Sequence, residues 1–117
     1  MNTVTLHDGQ QVDSSSEAWR QECEARYVLA KPHFERVEFF ALIEAKRGAA
    51  AVEALKRCCM DVEPAYVLDL PNKAQRNDYL AKVEERFGHN ASNGLRRRIL
   101  DLHEQRRALA PQQQQSA

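Results

Sequence analysis

Apolar residues recur along most of this chain at three- and four-residue intervals, the period of a helix with one buried face. Val52, Leu55, Cys59 and Val62 form one such stripe, and Leu95, Ile99, Leu102 and Leu109 form another. The spacing predicts a helix over 34–47 with Phe39, Phe40 and Ile43 inward, and further helices over 49–62, 72–87 and 91–108. An earlier helix within 14–30 sets Trp19, Cys23 and Tyr27 on one face, with Ser14 and Glu17 at capping-box spacing for its start. Partial alternation on either side of Asp8-Gly9 predicts a β-hairpin within 1–13, closed by a type I′ turn. Two strands alone are marginally stable, so this hairpin has to lean on the helices or on a partner.

Glycine and proline supply the punctuation. Gly48 and Gly88 end their helices as C′ glycines, Pro32 restarts the chain, and Pro64 and Pro71 bracket a short separate piece, Ala65 to Leu68. The tail 111–117, with four glutamines in a row, reads as disordered. The fold class expected is therefore all-α with a short N-terminal β-hairpin, in a single domain over 1–110.

That domain contains an internal repeat. Tyr27-Val28-Leu29 followed by Pro32 returns as Tyr66-Val67-Leu68 followed by Pro71, a shift of 39 residues. After a one-residue insertion the shift becomes 40. Arg36, Phe39, Phe40, Ile43, Glu44 and Gly48 then return as Arg76, Tyr79, Leu80, Val83, Glu84 and Gly88. Leu55-Lys56-Arg57 returns as Leu95-Arg96-Arg97. Both prolines, both glycines and the core spacing recur together, which points to two tandem helical-hairpin units, 32–62 and 64–108.

Charge changes this picture little. Seventeen basic groups balance seventeen acidic ones among 117 residues, so no whole-molecule field draws the chain to nucleic acid or to an anionic membrane. The balance drifts from −3 over 1–30 to +1 over 31–62 and +2 over 63–117. No apolar run is long enough to span a bilayer and Met1-Asn2-Thr3 lacks a signal-peptide pattern, so no membrane partner is expected. Three cysteines, two of them adjacent, make no disulfide framework and suggest a reducing, cytoplasmic setting.

Two stretches carry a family resemblance. Val12 to Arg26 read Val-Asp-Ser-Ser-Ser-Glu-Ala-Trp-Arg-Gln-Glu-Cys-Glu-Ala-Arg, and Leu70-Pro71 is followed by Arg76, Tyr79-Leu80, Val83-Glu84 and Gly88. Together they resemble small uncharacterised proteins of tailed phages and prophages, while 32–62 departs from that short pattern and looks like an inserted copy. The resemblance implies a phage protein in the host bacterial cytoplasm but no activity. In that setting small helical proteins bind and redirect a host or phage protein.

Candidate chemistry is sparse. Cys23, Cys58, Cys59, His7, His33, His89 and His103 show none of the close spacings with which one turn presents two zinc ligands. No nucleophile elbow, catalytic-cysteine signature or glycine-rich phosphate loop is present, so no enzyme activity, metal or cofactor is expected. The last helix carries five arginines, and with Asp101 and Glu104 it nets +3. Arg96, His103 and Arg107 gather on one flank of its buried stripe, whereas Arg97 sits beside Asp101 and Glu104. Arg106 would interrupt the stripe unless the helix frays there. Arg36 and Arg76, retained in both repeats, are candidate inter-helix ion pairs or contact residues.

The expected function is non-enzymatic: binding and modulation of another protein or ribonucleoprotein complex, with inhibition of a host defence complex in the manner of an anti-CRISPR as the version the phage resemblance suggests. The duplicated hairpin also suits a homodimer. The alternative is a nucleic-acid-associated regulator that uses the basic C-terminal helix. The candidate interaction residues are Arg96, Arg97, His103, Arg107, Arg36 and Arg76.

Overall fold

The computed structural model describes residues 2–109, so the expected tail 111–117 lies outside the described residues. Among them the chain forms two strands and five helices: β1 (Thr3–Thr5), β2 (Gln11–Asp13), α1 (Glu17–Leu29), α2 (His33–Arg47), α3 (Ala49–Leu68), α4 (Lys73–Phe87) and α5 (His89–Leu109). The fold is thus mainly helical with a short N-terminal β-hairpin. It divides between Glu63 and Pro64, inside α3, into two compact units.

In the first unit β1 and β2 pair antiparallel with Val4 opposite Val12. Asp8 does not adopt positive φ, so the turn is not the expected type I′. The Gly9 N–H instead donates to the Leu6 carbonyl at 2.9 Å and the Leu6 N–H to Gln10 at 2.8 Å, which leaves His7, Asp8 and Gly9 as a three-residue loop. The cap of α1 also differs from expectation. Ser16, not Ser14, accepts the Trp19 N–H, because Asp13 takes the Ser15 N–H and hydroxyl and holds 13–15 as a turn.

The buried face of α1 is Glu22, Ala25, Val28 and Leu29. Trp19, Cys23 and Tyr27 do not form it; Cys23 is exposed, and Tyr27 lies half outside with its ring edge-on to Phe39 at 5.6 Å. The Lys31 ammonium stands 4.3 Å from the centre of the Tyr27 ring. Ile43 of α2 is buried as expected, and Val52, Leu55, Cys59 and Val62 supply the α3 part of the same core. Lys56 of α3 reaches over Phe40 of α2, which places the two helices antiparallel about Gly48.

α3 does not stop before Pro64. It runs on to Leu68 with Pro64 inside it. Proline removes one N–H from the helical ladder, yet Val62, Ala65 and Val67 are each at most 1% exposed, and burial on both sides holds the backbone in the helix.

The second unit takes the end of α3 together with α4 and α5. Tyr66 packs against Tyr79 at 5.9 Å, and Leu80 and Leu95 are buried. Arg106 of α5 bonds Asp69 at 2.7 Å, so α5 runs back along α4 from Gly88. The helix therefore does not fray at Arg106; an aspartate receives its guanidinium at the end of the stripe.

Local geometry recurs between the units. The Ala30 and Lys31 N–H groups donate to Arg26 and Val28, and those of Asp69 and Leu70 donate to Ala65 and Val67, at 2.9–3.1 Å throughout. One residue joins α2 to α3 and one joins α4 to α5. Gly48 stands at φ 94, ψ 170 and Gly88 at φ 99, ψ 173, a region nearly closed to other residues. Replacing either glycine by alanine is expected to cost about 1–3 kcal/mol in chemical denaturation. Ser92 occupies the position of core Val52, and its hydroxyl is buried with no hydrogen-bond partner among the described residues. Ser92→Ala is expected to raise stability by about 1 kcal/mol, read as a higher denaturation midpoint at unchanged slope.

Candidate interaction surface

α5 begins directly after Gly88 and turns Ser92, Leu95, Ile99, Leu102 and Arg106 inward at helical spacing. The flank beside this stripe, about a hundred degrees around the helix, carries a second regular series, Arg96, Leu100, His103 and Arg107, at intervals of four, three and four residues. All four are exposed, Leu100 by 61%. Arg97 is exposed on the adjoining side, with Asp101 and Glu104 one and two turns further along. Among the described residues no carboxylate forms an ion pair with Arg96, Arg97 or Arg107. A shallow depression runs past Asn93, Gly94, Arg97 and Leu100, but every residue lining it belongs to α5. With no opposing wall it cannot enclose a small molecule, and it suits a broad surface instead.

Arg36 and Arg76 are not part of this stripe. Arg36 donates from Nη2 to the Leu29 carbonyl at 2.8 Å and from Nε to Lys31 at 2.9 Å, and Arg76 donates from Nη1 to Leu70 at 3.2 Å. Each guanidinium closes the C-terminal end of the helix before its own, where carbonyls lack partners and the helix dipole favours positive charge. Glu84, which corresponds in sequence to Glu44, accepts from His89 Nδ1 at 2.8 Å.

A buried polar cluster in the first unit escapes a reading of stripes. Glu22 is 2% exposed. Its Oε1 accepts the His7 backbone N–H at 2.7 Å and lies 2.8 Å from His7 Nδ1, while Oε2 accepts from Arg26 Nε at 3.1 Å. The cluster pins the hairpin loop to α1. The i, i+4 spacing of Glu22 and Arg26 was its one sequence signal, and nothing in the sequence brings His7 to them. With both oxygens engaged and the carboxylate closed to solvent, the arrangement anchors the hairpin and leaves no room for a substrate.

The thiols are similarly quiet. Burial pushes Cys59 up to about 11, and burial followed by the nearby Asp61 raises Cys58, so both stay protonated near neutral pH. Among the described residues no group of three or more His, Cys, Asp or Glu is placed to hold a metal ion. No helix among them is long and apolar enough to cross a membrane.

Residues 12–62 match a family of unknown function, DUF7696. The match ends one residue before the division between the two units, and it takes in fewer than half of the residues of the chain. No curated protein and no solved structure matches the chain.

Glu22→Gln keeps the side-chain volume but removes the charge that holds Arg26 and His7. The substitution is expected to cost about 2–3 kcal/mol in thermal or denaturant unfolding, with faster hydrogen exchange confined to the hairpin and the first turns of α1.

Proposed function

We propose that this chain is a non-catalytic binding protein whose α5 stripe docks on an acidic, partly apolar surface of another protein. The observation that carries this reading is Leu100, 61% exposed between Arg96 on one side and His103 and Arg107 on the other. An exposed apolar anchor ringed by arginines is the composition that protein interfaces favour, because the arginine stems cover apolar area while their heads pair with carboxylates. The resemblance to small phage proteins supports a host or phage protein, in the bacterial cytoplasm, as the partner; a host defence complex inhibited in the anti-CRISPR manner is one version of it.

A second reading rests on the same arginines. Arg96, Arg97 and Arg107 are exposed without carboxylate partners among the described residues, as phosphate-binding groups must be. Leu100 separates the two readings, since a nucleic-acid backbone has no use for an exposed leucine.

In a binding assay with a partner captured from host lysate, Leu100→Ser is expected to weaken binding about tenfold and Arg96→Gln/Arg97→Gln/Arg107→Gln by at least as much. Both variants should melt like the parent, because all four positions are exposed. Retardation of DNA or RNA that falls steeply with salt, is lost in the triple variant and survives Leu100→Ser would replace the protein-binding reading with the second one.

A further inference from the structure

α2 is apolar on two sides. Ile43 is buried and Phe39 and Phe40 are half-buried, as its core face requires. The outward arc carries Phe34 at 65%, Val37 at 54% and Leu42 at 50% exposure, with the small residues Ala41 and Ala45 along its middle and the exposed Glu38 between Ala45 and Leu42. Large apolar groups left exposed side by side along a helix mark an uncovered face, and this arc is one.

Charge along the arc identifies what covers it. Glu35 stands in the first turn of α2 and Lys46 in the last, eleven residues apart. Eleven residues are close to three whole turns, so the two lie on the same rim of the arc, about 16 Å apart along the axis. Both are exposed and neither has an ion-pair partner among the described residues. A two-fold axis perpendicular to a helix keeps each rim on its own side and reverses the order along it. Under that operation Glu35 of each copy faces Lys46 of the other. The same register brings Ala41 against Ala41 at the axis, allowing close approach, and sets bulky Phe34 over small Ala45.

We infer that α2 is a self-complementary interface through which two copies of this chain pair antiparallel. One helix pair buries roughly 1,000 Å² in total, the lower end of specific interfaces, so the dimer forms reversibly with concentration. The inference stands apart from the α5 reading, because it uses none of its residues.

Sedimentation velocity of the full chain across a concentration series tests this. The parent chain is expected to pass from monomer to dimer, and Ala41→Glu, which buries a charge from each copy at the axis, to remain monomeric. Glu35→Lys alone and Lys46→Glu alone should each raise the dissociation constant about tenfold, and combining the two reversals should restore it to near the parent value. All these positions are exposed, so melting at dilute concentration should be unchanged in every variant. A parent chain that stays monomeric at high micromolar concentration, a dimer indifferent to Ala41→Glu, or single reversals that the double reversal does not rescue would each overturn the pairing.

Discussion

Between Arg47 and Ala49, and again between Phe87 and His89, a single residue has to end one helix and begin another running back along it. The ends of two helices meet there, and with them the carbonyls and N–H groups that helices leave without internal partners. Glycine meets the demand in both places with nearly the same angles. The Gly48 N–H donates to Glu44 and its carbonyl accepts from Val52, while Gly88 does the same with Glu84 and Ser92. With so short a joint the paired helices have no freedom to slide, and the inner stripes stay in register. The other joints, of three and four residues, are closed by Arg36 and Arg76 reaching back to carbonyls of the preceding helix. Backbone satisfaction at helix ends therefore accounts for much of what the two units have in common.

Seen this way, the residues retained across the repeat separate by role. From sequence Arg36 and Arg76 read as inter-helix ion pairs or as contact residues, because charged residues kept at corresponding positions suggest a shared role. They are fixed by the local chemistry of helix ends, where any fold with these joints needs donors. The positions that differ are more informative. Val52 gives way to a buried serine at 92 whose hydroxyl has no hydrogen-bond partner among the described residues, and Cys58, which bonds the Gln21 carbonyl in the first unit, is matched in sequence by Arg98.

The helices were legible because their core stripes are long and the punctuating glycines stand where stripes end. Pro64 misled because proline near a helix end usually marks a boundary, and only the burial of Val62, Ala65 and Val67 shows why the helix continues. The face of α1 was misassigned for the opposite reason. It includes Glu22, a residue that patterning counts as outward, and Trp19 and Tyr27, which patterning places in the core, sit on its flank. A carboxylate becomes a core residue only when donors surround it, and one of those donors, His7, comes from fifteen residues away. The outer face of α2 was hidden in plain composition, since apolar residues on a helix are first credited to the core.

Arginines on α5 show how one residue type serves different ends within a few turns. Arg106, on the inner stripe, is drawn to Asp69 and closes the second unit; Arg107, the next residue, is a hundred degrees around the helix and meets no carboxylate among the described residues. Position on the helix decides the role, and net charge does not. The family match ends at residue 62, short of α4 and α5. The matched residues lie in the first unit and include Glu22, Arg36, Gly48 and the uncovered face of α2. The α5 stripe lies outside that match. A chain that pairs through α2 would carry two copies of α5, and a partner surface that binds one stripe weakly would then bind the pair far more tightly when both can reach it.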